Sequence, residues 1–166
     1  DIAFVSDIGE LKDKAFNQGT WEGVKRYAHE NKKSYKYYQP ENGNNASDED
    51  RYKAMKSAIE KGAKVIVSSG MAQEKAITQA ATEHPYVKFI IIDGKTVDLE
   101  NVSAIVFKEE QAAFLAGYAS VMDGYTKFGF FGEDSENASQ KRSAYGFIQG
   151  VNEAAKEKNM VIDIKL

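Results

Sequence analysis

The chain has 166 residues, with 22 basic and 25 acidic side chains for a formal net charge of −3. This faintly acidic balance excludes the basic face that nucleic acid requires. The absence of cysteine excludes disulfides, thiolate zinc sites and a cysteine nucleophile, and two separated histidines, His29 and His84, do not suggest a metal centre. No apolar run approaches the roughly 18 residues that cross a bilayer.

Taken in order, residues 2–6 (IAFVS) read as a strand with almost no polar flank, hence covered on both faces. It ends in Asp7, and Gly9 opens a charged loop. A helix is predicted over 16–30, where Asn17, Trp21, Val24 and Ala28 recur at spacings of three and four. Residues 34–39 form a tyrosine-rich, more exposed strand closed by Pro40. After a polar loop, Ser47 with Asp50 resembles a helix cap. The helix it opens carries Tyr52, Met55 and Ile59 and stops at Gly62. Residues 63–68 (AKVIVS) are a third strand, breaking at Ser69-Gly70.

A helix over 73–83, a strand over 87–92 ending at Asp93-Gly94, and a strand over 102–107 follow. A helix over 109–122 has small residues at Ala112, Ala113, Ala116 and Gly117, which imply close packing against a neighbour. Beyond Asp123-Gly124 the pattern restarts, with a strand at 127–131, a polar loop to Arg142, a helix over 143–157 and a strand over 160–165. Alternating strands and helices predict an α/β chain with a doubly wound parallel sheet. Two domains are expected: a ligand-binding lobe, 1–123, and the opening of a second, incomplete α/β lobe, 124–166, since two strands and one helix cannot cover their own apolar surfaces. The chain is therefore expected to be an N-terminal fragment; docking of the tail or exchange with another copy is the rival expectation. Asp1 in place of a methionine predicts a processed or trimmed N-terminus.

In such sheets ligands meet the carboxyl ends of the strands. Asp7, Phe16 and Asn17 fall at that edge: a carboxylate acceptor, an apolar ring and an amide. The set lacks the glycine spacing and lysine of a phosphate loop, and suits a neutral hydroxyl-bearing or aromatic ligand. Asp7 either caps its loop or meets ligand, and Asn17 either caps its helix or does so. From period alone, Phe16 reads as a core residue at a helix start. Ser69, Gly70 and Asp93 lie at neighbouring strand ends, with turn duty as the competing reading. Trp21 reads as core, and the lysines, interleaved with acids, as solvated faces. No nucleophile–base pair, cofactor motif or catalytic residue is found.

The run IAFVSDIGELKDKAFNQGTWEG, residues 2–23, resembles the start of the basic membrane protein family of nucleoside-binding lipoproteins. The shared pattern comprises Asp7, Gly9, Asp13, Lys14, Phe16, Asn17, Gln18, Trp21, Glu22 and Gly23; Ala15 and Lys12 depart from it, where serine and an acidic residue are common. The resemblance continues through Ile91-Ile92-Asp93, 106–110, 113–117 and 127–130. It implies a type I periplasmic-binding-protein-like fold with two hinged lobes, and a substrate-binding lipoprotein of an ABC importer that captures a nucleoside, a purine by preference. It further implies that Phe16 stacks on the base, that Asn17 pairs with its edge, and that Asp7 accepts from hydroxyl or amine protons. The implied partners are the nucleoside, the importer's membrane subunits, and the bacterial membrane itself through an N-terminal lipid anchor absent from this chain, at the cell surface or in the periplasm. No cofactor is implied. A ligand-sensing regulator or a sugar-binding protein of the same fold is the alternative; an enzyme on a flavodoxin-like sheet is the third class.

Overall fold

The computed structural model describes residues 1–6, 10–95, 97–131 and 138–165. Its first compact unit runs from Asp1 to Val106 and its second from Phe107 to Leu166.

The first unit is built on five parallel strands: β1 (Ile2–Val5), β2 (Tyr35–Tyr38), β3 (Val65–Ser69), β4 (Lys88–Ile92) and β5 (Val102–Ile105). Their order across the sheet is β2-β1-β3-β4-β5. The helices are α1 (Phe16–Glu30), α2 (Asp48–Glu60) and α3 (Glu74–Glu83), the last preceded by a 3-10 turn, Met71–Gln73. Parallel strands need such crossovers, and each crossover covers one face.

Residue parity decides which helix covers what. Ala3 and Val5 of β1, with Ile66, Phe89 and Ile91, pack against Tyr52, Met55 and Ala58 of α2 and Ile77, Ala80 and Ala81 of α3. Ile2, Phe4 and Val67 point to the other face and pack against Val24 and Ala28 of α1, with Trp21 alongside. β1 is thus buried on both sides, which is why its sequence is an unbroken apolar run. On the α1 face the cover ends at β4: Ile90 and Ile92 are half-buried, and Ile105 of β5 is exposed. β2 is an edge strand, and its tyrosines cover α1 and α2 rather than a second layer. Its Tyr35 and Tyr37 rings meet Trp21 at 5.4 and 5.9 Å between centroids, so Trp21 serves packing, as its spacing predicts.

The cap at Ser47 forms in full. Ser47 Oγ accepts from the Asp50 N–H at 3.1 Å, and the Asp50 carboxylate accepts from the Ser47 N–H at 2.9 Å. The Ser47 N–H first, then the Asn42 amide and the Ser47 hydroxyl, donate to the Asp50 carboxylate and hold it below its usual range.

The second unit holds α4 (Glu109–Met122), β6 (Lys127–Gly129), α5 (Ala138–Lys158) and β7 (Asp163–Lys165), with β6 and β7 paired in parallel. Its core is Val121, Val151 and Ala154, ringed by Tyr118, Phe128, Phe147, Met160, Ile162 and Ile164. The close packing that the small residues of α4 imply is met by α5. A Cβ on Gly117 would lie 2.3 Å from the Phe147 carbonyl oxygen, and one on Gly150 would lie 2.0 Å from that of Phe114. The backbones touch where side chains are missing.

β5, β6 and β7 are each two or three residues shorter than the sequence pattern predicts, and two further boundaries differ for reasons of packing. α5 begins at Ala138, five residues before the predicted start, because its first turns carry no apolar stripe; Arg142 is instead ion-paired with Glu109 of α4. Packing also places α4 with the second unit, whereas punctuation at Asp123-Gly124 suggests a division after Asp123. Turn chemistry marks where an element stops, not which neighbour it packs against.

Candidate functional site

The strand order reverses at β1: the chain steps from β1 to β2 on one side and then to β3 on the other. The crevice at such a switch point, beyond the carboxyl ends of β1 and β3, is where open α/β sheets take ligands. α1 begins at that end.

The start of α1 is organised by Asp13. One carboxylate oxygen accepts from the N–H groups of Ala15 (2.8 Å) and Gln18 (3.1 Å), and the other from that of Asn17 (3.0 Å). Desolvation raises the carboxyl's pKa, but these backbone donors together outweigh it and the net shift is downward. A helix N-terminus ordinarily offers its amides to an anion. Here three are already engaged by a resident carboxylate, which disfavours a phosphate at this end. Sequence reading missed this role, although an Asp shortly before a helix start is a recognisable local acceptor.

With its first turn held, α1 presents two adjacent residues in different environments. Asn17 is 3% exposed, and its Oδ1 accepts a long hydrogen bond of 3.4 Å from Ser69 Oγ at the end of β3. Phe16 is 51% exposed, so its ring is not a core residue of the kind that period alone suggests. The structure therefore brings Asn17 and Ser69 together directly and leaves a benzyl ring accessible on the neighbouring helix position. Asp7 lies outside the described residues.

Gly70 has φ of +90° and donates its N–H to the Ile92 carbonyl at 2.9 Å, a conformation that glycine adopts without strain. Asp93 also has positive φ, +58°, and is tied by its N–H to the Ile105 carbonyl at 2.8 Å. It is half-buried, and its carboxylate has no hydrogen-bond or ion-pair partner among the described residues. Each of the two backbones bonds to the next strand across the same edge, from β3 to β4 and from β4 to β5.

A further set of side chains secures the end of β1. Ser68 Oγ donates to the Val5 carbonyl at 2.6 Å, Gln73 Nε2 donates to the Ser6 carbonyl at 2.6 Å, and Ser6 Oγ shares a hydrogen bond of 3.0 Å with the Tyr37 hydroxyl. The sequence pattern gives Gln73 only as the start of a helix. Nothing local marks it, because its partner lies 67 residues away in the sequence.

Among the described residues no group of three His, Asp or Glu side chains is placed to hold a metal, and no helix is long and apolar enough to cross a membrane. The arrangement is one of preset donors, acceptors and a ring.

The model of one protein family, Bmp, described as ABC transporter substrate-binding protein PnrA-like, matches residues 2–166. The chain belongs to the Bmp family. It is 35% identical over 169 residues to the ABC transporter nucleoside-binding protein BmpA of Lactococcus lactis subsp. cremoris, covering 99% of this chain and 45% of that protein. Basic membrane protein B of Borreliella burgdorferi is 32% identical over 105 residues, 60% of this chain and 30% of that one. Among solved structures, an ABC transporter solute-binding protein of Aeropyrum pernix K1 superposes with a TM-score of 0.76 at 20% identity, over 99% of this chain and 46% of its own. The arabinose-binding protein AraP of Geobacillus stearothermophilus gives 0.73 at 15% identity, over 99% and 55%. These last two likenesses concern the fold, which is that of type I periplasmic-binding proteins. The chain spans less than half of the length of the two sequence relatives.

Proposed function

We propose that this Bmp-family chain supplies the first part of a two-lobed nucleoside-binding protein that delivers its ligand, a purine nucleoside by preference, to an ABC importer. The observation that carries the reading is the pairing at the start of α1 of an accessible ring, Phe16, with a buried amide, Asn17, engaged by Ser69 at the sheet edge. A ring and an oriented amide side by side suit a flat, heteroatom-edged base: the ring stacks on its face, and the amide both donates to and accepts from its edge. The Asp13 carboxylate at the same helix start favours an uncharged nucleoside over a nucleotide.

In this reading Asp7 and Asp93 accept from sugar hydroxyls or amine protons, and Ser69 and Gly70 line the sheet edge. Binding needs no chemistry, only pre-placed polar groups and closure of a second lobe. The relative named as a nucleoside-binding protein of an ABC transporter supports the ligand class and the importer as partner. The work is then done outside the cytoplasm, next to the importer's membrane subunits, with the lipid anchor that the resemblance implies.

Calorimetry on the full-length protein tests this. Inosine, guanosine and adenosine are expected to bind, with the corresponding 5′-monophosphates at least tenfold weaker. Tight binding of arabinose or ribose without any binding of nucleosides would replace this reading with that of a sugar receptor.

A further inference from the structure

We propose that Gln73 is a positioning residue of this site: its buried amide holds the Ser6 carbonyl and so sets the carboxyl end of β1 at the ligand-facing edge of the sheet. The inference rests on the binding site just described but concerns a residue outside it.

Gln73 has no exposed surface. Its Nε2 donates to the Ser6 carbonyl at 2.6 Å, while its Oε1 has no hydrogen-bond partner among the described residues. The opposite orientation of the amide would set two oxygens against each other, so the Nε2 contact fixes which way the side chain lies. A buried acceptor without a donor is a cost that an apolar residue of similar size would not carry. Packing alone therefore does not account for a glutamine here; the useful atom is Nε2.

Its target is not arbitrary. Ser6 is the last described residue at the end of β1, its N–H donates to the Tyr38 carbonyl at 3.1 Å, and its hydroxyl is bonded to Tyr37. Just before it, the Val5 carbonyl is taken by Ser68. Side chains from β2, β3 and the Met71–Gln73 turn thus converge on one strand end beyond the reach of the regular ladder. Gln73 stands three residues after Gly70, so it joins the β3 edge loop to the β1 edge.

Two variants of the full-length protein test the role, read by inosine calorimetry, thermal unfolding and hydrogen exchange of the peptide segment covering residues 2–10. Gln73→Leu exchanges an orphaned Oε1 for an orphaned Ser6 carbonyl, so it is expected to change the unfolding temperature little, to lose exchange protection at the end of β1, and to bind inosine roughly five- to tenfold more weakly. Gln73→Glu separates positioning from packing, because a protonated carboxyl can donate to the Ser6 carbonyl and a carboxylate cannot. Its inosine affinity is expected to recover toward wild type as pH falls from 8 to 5.5, while wild type stays flat. Unchanged protection and affinity in Gln73→Leu, or a pH-independent Gln73→Glu, would overturn the inference. If wild type binds no inosine yet Gln73→Leu still loses protection at the end of β1, the positioning stands and the nucleoside reading fails.

Discussion

Ser69 Oγ, at the carboxyl end of β3, donates across 3.4 Å to Asn17 Oδ1, in the first turn of α1. Fifty-two positions separate the two residues, and neither is significantly exposed, at 1% and 3%. The bond is long, so its strength is slight. Its consequence is directional: the amide of Asn17 is engaged at its oxygen within the sheet edge.

From that geometry, Asn17→Ala is expected to weaken purine nucleoside binding at least tenfold. It should also narrow the difference between purine and pyrimidine nucleosides, since an amide reading a base edge supplies about 1–3 kcal/mol of discrimination. Ser69→Ala removes only the long bond and is expected to cost far less. Competition calorimetry with inosine and uridine checks both, and equal losses in the two variants would contradict the assignment.

Phe16→Ala is expected to lower nucleoside affinity by about 1–3 kcal/mol, roughly 5- to 150-fold, the range for a ring stacked on a base. Because the ring is 51% exposed, the unfolding temperature should barely change. Phe16→Tyr should retain most of the binding. A Phe16→Ala protein that binds normally but melts early would return the ring to a packing role.

The α4–α5 crossing makes a prediction of stability rather than binding. Gly150→Ala places a methyl group 2.0 Å from the Phe114 carbonyl oxygen, and main chain cannot yield as a side-chain tip can. Destabilisation of about 1–3 kcal/mol is expected, the usual cost of overpacking. Gly129→Ala is the control, since nothing lies within 4 Å of the added carbon. Chemical denaturation of both variants reads the difference.

Tyr52 donates to Glu83 at 2.5 Å, joining α2 to α3. That hydrogen bond first, then burial and the nearby charges of Glu83, Glu49 and Glu60, push the phenol up to about 12 from an ordinary 10.0. A pKa raised by folding means that the folded state holds its proton where the unfolded state releases it. The resulting stabilisation is full below pH 10 and is lost as pH rises through about 12. Between those values wild type should lose stability more steeply than Tyr52→Phe, which has no phenol to titrate. Parallel slopes in denaturation at pH 9, 10 and 11 would show that the contact does not form in solution.

How far residue order alone carries is clear from particular elements. The apolar run of β1, the period of α1, and the reciprocal Ser47–Asp50 cap are local facts, written within one or two turns of chain, and each has the form its residues predict. The family, too, is carried by contiguous residues, from Ile2 to Gly23. What could not be read locally is of another kind. Phe16 reads as core by period yet stands half in solvent, because burial depends on what arrives opposite a residue. α4 packs on α5 through glycines 29 to 33 positions apart whose absent side chains admit a neighbour's backbone. Gln73 reaches Ser6 across 67 residues, and Asn17 meets Ser69 across 52. Hydrogen-bond partners and helix contacts are selected by three-dimensional proximity, and proximity at such separations is created only when the crossovers have closed the sheet.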